Sequence, residues 1–301
     1  MEHHFEPNRY YNSFGSFEPV LTIASGDCVF TSTLDAFGHG RDGSLVATPG
    51  NPLTGPFLIE DAEPGDQLVV YLEMISPNRD HGFTFSSIAP HIVDGSFVPE
   101  LPTRDLTRWD VNVDAGIATL IDQKAEPHEL TIPIAPMVGC IGVAPSGGQA
   151  ISTATSGRYG GNMDYRHIAT GATVLLPVLT AGALFFIGDG HAVQGEGEVV
   201  GTGIEISMDV AFTVQLRKQV NSRWPRMETA THLIALGNAR PLDQALQHAT
   251  TELVRWLCSD HDYDVRGASH LLGQALEYDI GNVFDPAFTV AAKMSKKHLY
   301  R

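Results

Sequence analysis

Alternating apolar and polar positions along the first two thirds of the chain predict a mainly β protein. Residues 68–75 alternate between two largely apolar faces, and residues 205–216 repeat this period of two. Such runs are typical of strands, and the Gly, Pro and Asp residues between them supply tight turns. Residues 1–220 are therefore predicted to form a β-sandwich or barrel. The apolar side of the second run consists of Ile206, Met208, Val210, Phe212 and Val214.

The last quarter of the chain changes to a helical period. Apolar residues recur at helical spacing in 241–258 and again in 260–278, and residues 288–293 have the pattern of a strand. The natural boundary between the two patterns lies at Trp224 and Pro225. The sequence thus predicts a β body over 1–224, which carries the site, and a small α+β unit over 225–301 packed on it.

Composition and charge narrow the function classes. The 301 residues are 43% hydrophobic and 18% charged, as expected of a globular protein. A formal net charge of −16 without a basic stripe disfavours nucleic-acid binding. The longest apolar stretch, 172–188, contains Pro177 and Gly182 and is too short for a membrane span. Three cysteines without a CxxC pair indicate a reducing compartment. We expect a soluble, cytoplasmic protein without a nucleic-acid or membrane partner.

Candidate chemistry is concentrated in residues 188–203, GDGHAVQGEGEVVGTG, where Asp189, His191, Glu196 and Glu198 stand among six glycines. Carboxylate oxygens and imidazole nitrogens are ligands for Zn²⁺ or a similar ion, and glycine lets the backbone approach a ligand closely. On extended backbone, a period of two places Asp189 with His191, and Glu196 with Glu198, on common faces. A solvated acidic hairpin is the competing interpretation, and these residues alone do not decide between the two.

Three residues outside this segment are weaker candidates. Asp35 ends an apolar strand, where a carboxylate either caps a turn or faces a site, and capping is the usual outcome. His81 lies in the loop-like segment 78–83, where a surface position is the commoner outcome for a histidine. Cys140 has no matched histidine motif around it and is interpreted as a small buried hydrophobe, not a nucleophile.

Residues 156–168 add a possible oxyanion site. The N–H groups around Gly160 and Gly161 could face a substrate oxygen, and Asn162 could orient an amide. The alternative is an Asx turn in which Asp164 pairs with Arg166.

In this order, the segments resemble the acetamidase/formamidase family. The motifs that carry the resemblance are NPLTGPF (51–57), EPGDQL (63–68), GCIGVAP (139–145), YGGNMD (159–164) and GDGHAVQGEGEVVGTGIE (188–205). GNAR at 237–240 and the paired helices after it extend the resemblance over about residues 12–292. It implies a jelly-roll-like β-sandwich with a small β-barrel portion, followed by the α+β unit. It also implies hydrolysis of formamide, acetamide or related linear or cyclic amides, a bound zinc or calcium ion, and a homodimer or higher homo-oligomer.

The mechanism suggested by the resemblance is a hypothesis at this point. A divalent ion, zinc or else calcium, would be held by Asp35, His81, Asp189 and His191 or a subset of them. Glu196 would act as the base, and Asn162 with the N–H groups of Gly160 and Gly161 would stabilise the oxyanion. A metal-free version, with Glu196 as base and Asp189 orienting a catalytic His191, is the other possibility.

Three other functions are weighed against this one. A carbohydrate-binding sandwich is disfavoured because residues 188–203 contain no Trp, Tyr or Phe. A glycosidase is disfavoured because Glu196 and Glu198 stand too close in sequence to flank a bond from both sides. A structural or interaction module that has lost catalysis, or a non-catalytic β-sandwich that binds small molecules, remains open.

Overall fold

The computed structural model describes residues 1–299 and contains twenty-one strands and two α-helices in that range. The strands, in chain order, are β1 (Glu2–His4), β2 (Ser13–Phe14), β3 (Leu21–Ile23), β4 (Cys28–Thr33), β5 (Thr54–Ile59), β6 (Gln67–Pro77), β7 (His81–Phe85), β8 (Leu106–Asn112), β9 (Ile117–Ile121), β10 (Glu129–Pro133), β11 (Met137–Val143), β12 (Ile151–Ser152), β13 (Ser156–Gly157), β14 (Gly160–Asn162), β15 (Thr173–Pro177), β16 (Phe185–His191), β17 (Met208–Arg217), β18 (Arg226–Glu228), β19 (His232–Ala239), β20 (Glu277–Ile280) and β21 (Phe288–Ser295). The helices are α1 (Leu242–Asp260) and α2 (Val265–Ala275).

Two large sheets dominate the fold, which confirms the predicted mainly β, sandwich-like class. The nine-stranded sheet has the order β1-β4-β17-β6-β15-β18-β19-β21-β20, and the six-stranded sheet has the order β13-β14-β11-β16-β5-β3. A four-stranded sheet, β10-β9-β8-β7, and the pair β12-β2 complete the topology. Neighbouring strands are antiparallel except for β1 with β4 and β3 with β5.

The small barrel portion of the prediction is wrong for the described residues. In both large sheets the first and last strands remain separate edges, so neither sheet closes on itself. Closure requires hydrogen bonding between the two edge strands, and a local apolar pattern contains no information on that pairing.

The main core lies between the two large sheets. The long strands β6 and β17 pair along their length and contribute inward-facing apolar side chains, and β5, β11 and β16 supply the opposite face. Each fully buried aliphatic or aromatic side chain contributes about 1.5–3 kcal/mol of transfer free energy. Representative buried members are Leu68, Val70, Leu72, Phe212, Phe57, Val138, Phe185 and Ile187.

The helices pack on the C-terminal part of the nine-stranded sheet and form a second core. Helix α1 buries one face, which includes Leu253 and Trp256, against β19 and β21. Gly237 of β19 permits this close approach, because a Cβ there would lie 2.1 Å from the Ala245 carbonyl oxygen. Asp264 caps α2 by accepting a hydrogen bond from the Gly267 N–H.

The pairing of β15 with β18 carries the nine-stranded sheet across the predicted boundary at residues 224 and 225. The division into two units stays a prediction. Within residues 1–299, no helix has both the length and the apolar character that crossing a membrane would require.

Candidate active site

Strand β16 brings two predicted site residues to the same place. All seven of its residues are buried, and it lies between β11 and β5 in the six-stranded sheet. Asp189 has a left-handed backbone conformation with φ 59°, which Asp tolerates better than most residues. His191 ends the strand and forms an isolated antiparallel bridge with Glu205. This pairing places a carboxylate from the segment before β17 directly beside the histidine.

Asp189, His191 and Glu205 form a compact buried group. The His191 Nε2 atom lies 3.1 Å from Glu205 Oε1 and 3.6 Å from Asp189 Oδ1. All three side chains are at most 3% exposed. The expected pairing of Asp189 with His191 is therefore found, and Glu205 is a member that the sequence interpretation did not assign.

Gln194 determines which nitrogen of His191 faces the group. The Gln194 Nε2 atom donates to the carbonyl oxygens of Asp164, at 2.6 Å, and Gly281, at 3.3 Å. Its Oε1 atom is thereby directed to His191 Nδ1 at 2.9 Å, so Nδ1 carries the proton that is donated. The Nε2 atom of His191 is left to face the two carboxylates, an arrangement typical of metal-binding histidines.

A second set of buried polar groups adjoins the first. Ligand atoms of Asp164, His191 and Glu198 also lie within 4.8 Å of one another. Asp285, from the loop between β20 and β21, accepts a 2.6 Å hydrogen bond from Asn162 Nδ2. The Asn162 Oδ1 atom is 2.8 Å from the Cys140 Sγ atom, which donates to it. The C-terminal segment after residue 224 therefore contributes to the site.

The group brings five carboxyl groups together in a buried place. Its carboxylates are Asp164, Asp189, Glu198, Glu205 and Asp285. No Lys or Arg of residues 1–299 forms an ion pair with any of them. Burial raises the pKa of Glu205 to about 8 and that of Asp285 to about 7. Burial, followed by the charge of Asp285, raises the pKa of Glu198 well above its ordinary value.

For the His191 imidazole, burial and the neighbouring charges act on the pKa in opposite directions. Burial alone lowers the pKa of His191, but the charges of Glu205 and Asp189 outweigh it and raise that pKa well above its ordinary value. Buried carboxyl groups that raise one another's pKa values around one imidazole are a setting in which a bound cation would be stabilised.

Unpartnered atoms in the group fit a divalent metal ion. The buried atoms Asp189 Oδ1, His191 Nε2 and Glu205 Oε2 have no hydrogen-bond partner, which is costly unless another ligand satisfies them. Zinc–ligand bonds of 2.0–2.1 Å imply ligand atoms about 3.3 Å apart at tetrahedral angles. The distances from His191 Nε2 to Glu205 Oε1, 3.1 Å, and to Asp189 Oδ1, 3.6 Å, bracket that value. The donor set and spacing of these three side chains thus fit zinc.

Gly139 of β11 leaves the room that these carboxylates occupy. A Cβ at this position would lie 2.2 Å from Asp164 Oδ1 and 2.5 Å from Asp189 Oδ2. Any side chain here would therefore displace one carboxylate or the other. Gly139 is one of the residues in the GCIGVAP motif.

A cavity of about 280 Å³ opens onto the group. Its polar lining comprises Asn51, Asn162, Asp189, Glu198, Glu205, Thr202 and Asp285. Its apolar lining comprises Ala36, Phe37, Pro49, Phe85, Ala154 and Phe284. Apolar walls around a few convergent polar groups are the usual form of a small-molecule site.

Asp35 and His81 are placed apart from the converging ligand atoms. Buried Asp35 accepts hydrogen bonds from the N–H groups of Phe37 and His39 and from Arg79 Nη2 at 2.6 Å. His81 begins β7, and its Nδ1 atom lies 2.7 Å from Asp80 Oδ1. Among residues 1–299, the groups of converging ligand atoms include neither of them. Asp35 thus has the turn-capping role and, in addition, neutralises a buried arginine.

The two glutamates of the glycine-rich segment differ in environment. Glu198 is 6% exposed and lines the cavity, whereas Glu196 is exposed. Glu196 accepts a 3.2 Å hydrogen bond from the Ile280 N–H on the protein surface. The expectation of a common face for the two is wrong, because the backbone turns at Gly197 (φ 82°) and Glu198 (φ 48°) instead of remaining extended.

Of the three residues predicted to form the oxyanion site, only one lines the cavity. Asn162 lines the cavity. Gly160 and Gly161 lie in β14 with φ of 91° and 106°, and both pack tightly against neighbouring backbone. They are not among the residues that line the cavity. Cys140 is fully buried, and burial raises the pKa of its thiol well above the ordinary value, in agreement with a non-nucleophilic residue.

Comparison with known proteins gives consistent matches. The model of the Acetamidase/Formamidase family matches residues 8–151 and 147–246. The crystal structure of an acetamidase from Yersinia enterocolitica superposes with a TM-score of 0.86 at 31% identity, covering 100% of this chain and 94% of that one. A predicted acetamidase/formamidase from Thermoanaerobacter tengcongensis gives a TM-score of 0.84 at 28% identity, covering 99% and 96%.

Curated sequences match over a shorter span. The acetamidase of Mycolicibacterium smegmatis is 27% identical, over 55% of this chain and 52% of the relative. The chain spans about half the length of the curated relatives it matches.

Proposed function

The chain belongs to the acetamidase/formamidase family, and we propose that it hydrolyses the C–N bond of a small amide, releasing ammonia and a carboxylate, at the group around His191. The observation that carries the proposal is the convergence of Asp189, His191 and Glu205 beside the cavity, which Asp189 and Glu205 line. The His191 Nε2 atom lies 3.6 Å from Asp189 Oδ1 and 3.1 Å from Glu205 Oε1, which are distances suited to ligands of one divalent ion. The names of the relatives supply the reaction class.

Asp189, His191 and Glu205 are the proposed metal-holding residues. The Nδ1 atom of His191 is engaged by Gln194, so only Nε2 is available, and Asp189 and Glu205 have carboxylate oxygens 3.6 and 3.1 Å from it. A divalent ion bound there, for which zinc is our proposal, would polarise the amide carbonyl and increase the acidity of water.

Glu198 is the proposed general base. It lies in the cavity wall, and its burial keeps its proton affinity higher than that of a surface carboxylate. Such a group can take the proton of the attacking water and pass it to the departing nitrogen. Glu198 therefore replaces Glu196, which the fold places on the surface.

Asn162 is proposed to orient the substrate, and Asn51 is proposed to hold the Asp189 carboxylate. One N–H of the Asn162 amide is bonded to Asp285, which fixes the plane of the amide at the cavity wall and leaves its second N–H for a carbonyl oxygen. The Asn51 Nδ2 atom is 3.4 Å from Asp189 Oδ2 and steadies that carboxylate.

A cytoplasmic location and a homodimer or higher oligomer are further parts of the proposal that rest on the expectations stated above.

The test is ammonia release from a series of primary amides, starting with formamide and acetamide, before and after treatment with a chelator. The proposal requires release from at least one short-chain amide, its loss on chelation, and its recovery with added zinc. No release from any short-chain amide would favour a non-catalytic binding module. Ammonia release that survives complete metal removal would support amide hydrolysis but refute the requirement for a metal ion.

A further inference from the structure

The cavity above the polar group has an aromatic wall. Phe37, Phe85 and Phe284 line it, and each is only partly buried although phenylalanine normally belongs in the core. The faces that remain exposed are apolar surface that a ligand can cover. Ala36 and Ala154 continue the same apolar lining.

The cavity is larger than the smallest amides need. A cavity of 150 Å³ lined by apolar residues suffices for a benzene ring, and this one has about 280 Å³. Acetamide is smaller than benzene and would leave most of the aromatic wall in contact with water. A substrate that covers the wall needs several more carbon atoms.

Two rings of the wall, Phe85 and Phe284, are packed against neighbouring groups. The Arg104 guanidinium stacks over Phe85 at 3.5 Å from the ring centre and lies 5.0 Å from that of Phe284. Arg104 also donates a 2.9 Å hydrogen bond to the Val200 carbonyl oxygen. Gly201 packs against Phe284 so closely that a Cβ there would lie 2.5 Å from the ring. Preorganised walls of this kind favour ligands that fill them.

We propose that the preferred substrates are primary amides whose acyl group is an apolar chain or ring of about four or more carbons. This inference rests on the proposed amide hydrolysis and adds the substrate class. In a primary amide the alkyl or aryl part of the acyl group is the only apolar substituent, because the nitrogen carries only hydrogens. That part alone can therefore cover Phe37, Phe85 and Phe284 while the amide lies at the polar end of the cavity.

The test compares kcat/KM along the series formamide, acetamide, propionamide, butyramide and benzamide. One buried CH₂ group corresponds to about a fourfold gain in kcat/KM. Butyramide should therefore exceed acetamide by about 15-fold, and benzamide should be hydrolysed. In Phe85→Ala the ratio of butyramide to acetamide should fall below about fourfold.

The ratio of two substrates within one variant does not depend on how much of that variant is folded. Phe97→Ala is the matched control, because Phe97 is an exposed phenylalanine that does not line the cavity, and it should keep the wild-type ratio. Phe284→Leu, a milder change in the wall, should lower the ratio less than Phe85→Ala. A series in which formamide or acetamide is best would overturn the inference but leave amide hydrolysis standing. No hydrolysis of any member would instead remove the proposed function.

Discussion

Replacing Glu198 by Gln should lower kcat for amide hydrolysis by about 100-fold or more, which is the usual contribution of a positioned general base. The same substitution at Glu196, two residues away, should leave kcat within about threefold of the wild type, since a surface residue away from the reacting atoms contributes no proton transfer. The pair is informative because both positions lie in one glycine-rich segment and the amide is close in shape to the carboxylate.

The magnitude follows from where the two carboxylates lie. A 100-fold loss corresponds to about 2.7 kcal/mol of transition-state free energy. Glu198 is 6% exposed, adjoins His191 within the buried group and lines the cavity. Glu196 is exposed, and its hydrogen bond from the Ile280 N–H can be retained by a Gln side-chain oxygen.

Steady-state ammonia release under saturating amide measures kcat, and thermal unfolding of each variant checks that the fold is retained. Metal content must be measured on the same samples, because the buried group around Glu198 also includes the proposed metal ligands. Near-normal turnover in Glu198→Gln with its metal retained would refute the assignment of the base. A larger loss in Glu196→Gln than in Glu198→Gln would restore the interpretation based on the sequence.

Three further substitutions test the surroundings of the site. Gly139→Ala should lower metal content and reduce activity by about tenfold or more, because its Cβ would overlap two site carboxylates. The control is Gly95→Ala, where the added Cβ meets open space. Equal metal content and activity in the two variants would disprove the steric argument. Arg79→Met should lower the free energy of unfolding in urea by about 3–5 kcal/mol, since it strands buried Asp35 without its partner. Adding Asp35→Asn should recover part of that loss, and no recovery would argue against the ion pair as its cause. Cys140→Ala should keep kcat within about tenfold, the value of one lost hydrogen bond, whereas a thousandfold loss would point to a nucleophilic thiol.

The sequence predicted the elements of the fold better than their closure. Strands such as β6 and β17, and both helices, are found close to their predicted bounds because each carries its own apolar period. The barrel portion failed because closure depends on contacts between edge strands far apart in sequence. No local pattern reports those contacts.

The site shows the same division between local and long-range information. Asp189 and His191 could be paired from sequence because they are two residues apart near the end of one strand. Glu205 was missed because it meets His191 only through bridge pairing between separate segments. The sequence did contain a clue to Glu205, because this carboxylate begins the run 205–216, in which apolar residues occupy every second position.

Glu196 and Glu198 show how one turn reverses an assignment. Extended backbone would put both on one face, but left-handed φ values at Gly197 and Glu198 send one side chain to the surface and the other to the cavity. The glycines around them signal such turns without giving their direction. Asp285 was out of reach for another reason, because its contact with Asn162 joins residues 123 positions apart.

The most direct measurement of the central claim is the metal content of the purified protein, measured beside that of Glu205→Gln and followed through chelation. Our account predicts about one zinc ion per chain in the wild type, as expected of one site with this donor set. It predicts that zinc and ammonia release disappear together in the chelated protein and in Glu205→Gln, and that added zinc restores only the wild type. Full amide hydrolysis by metal-free wild-type protein, or an unchanged zinc content in Glu205→Gln, would contradict it.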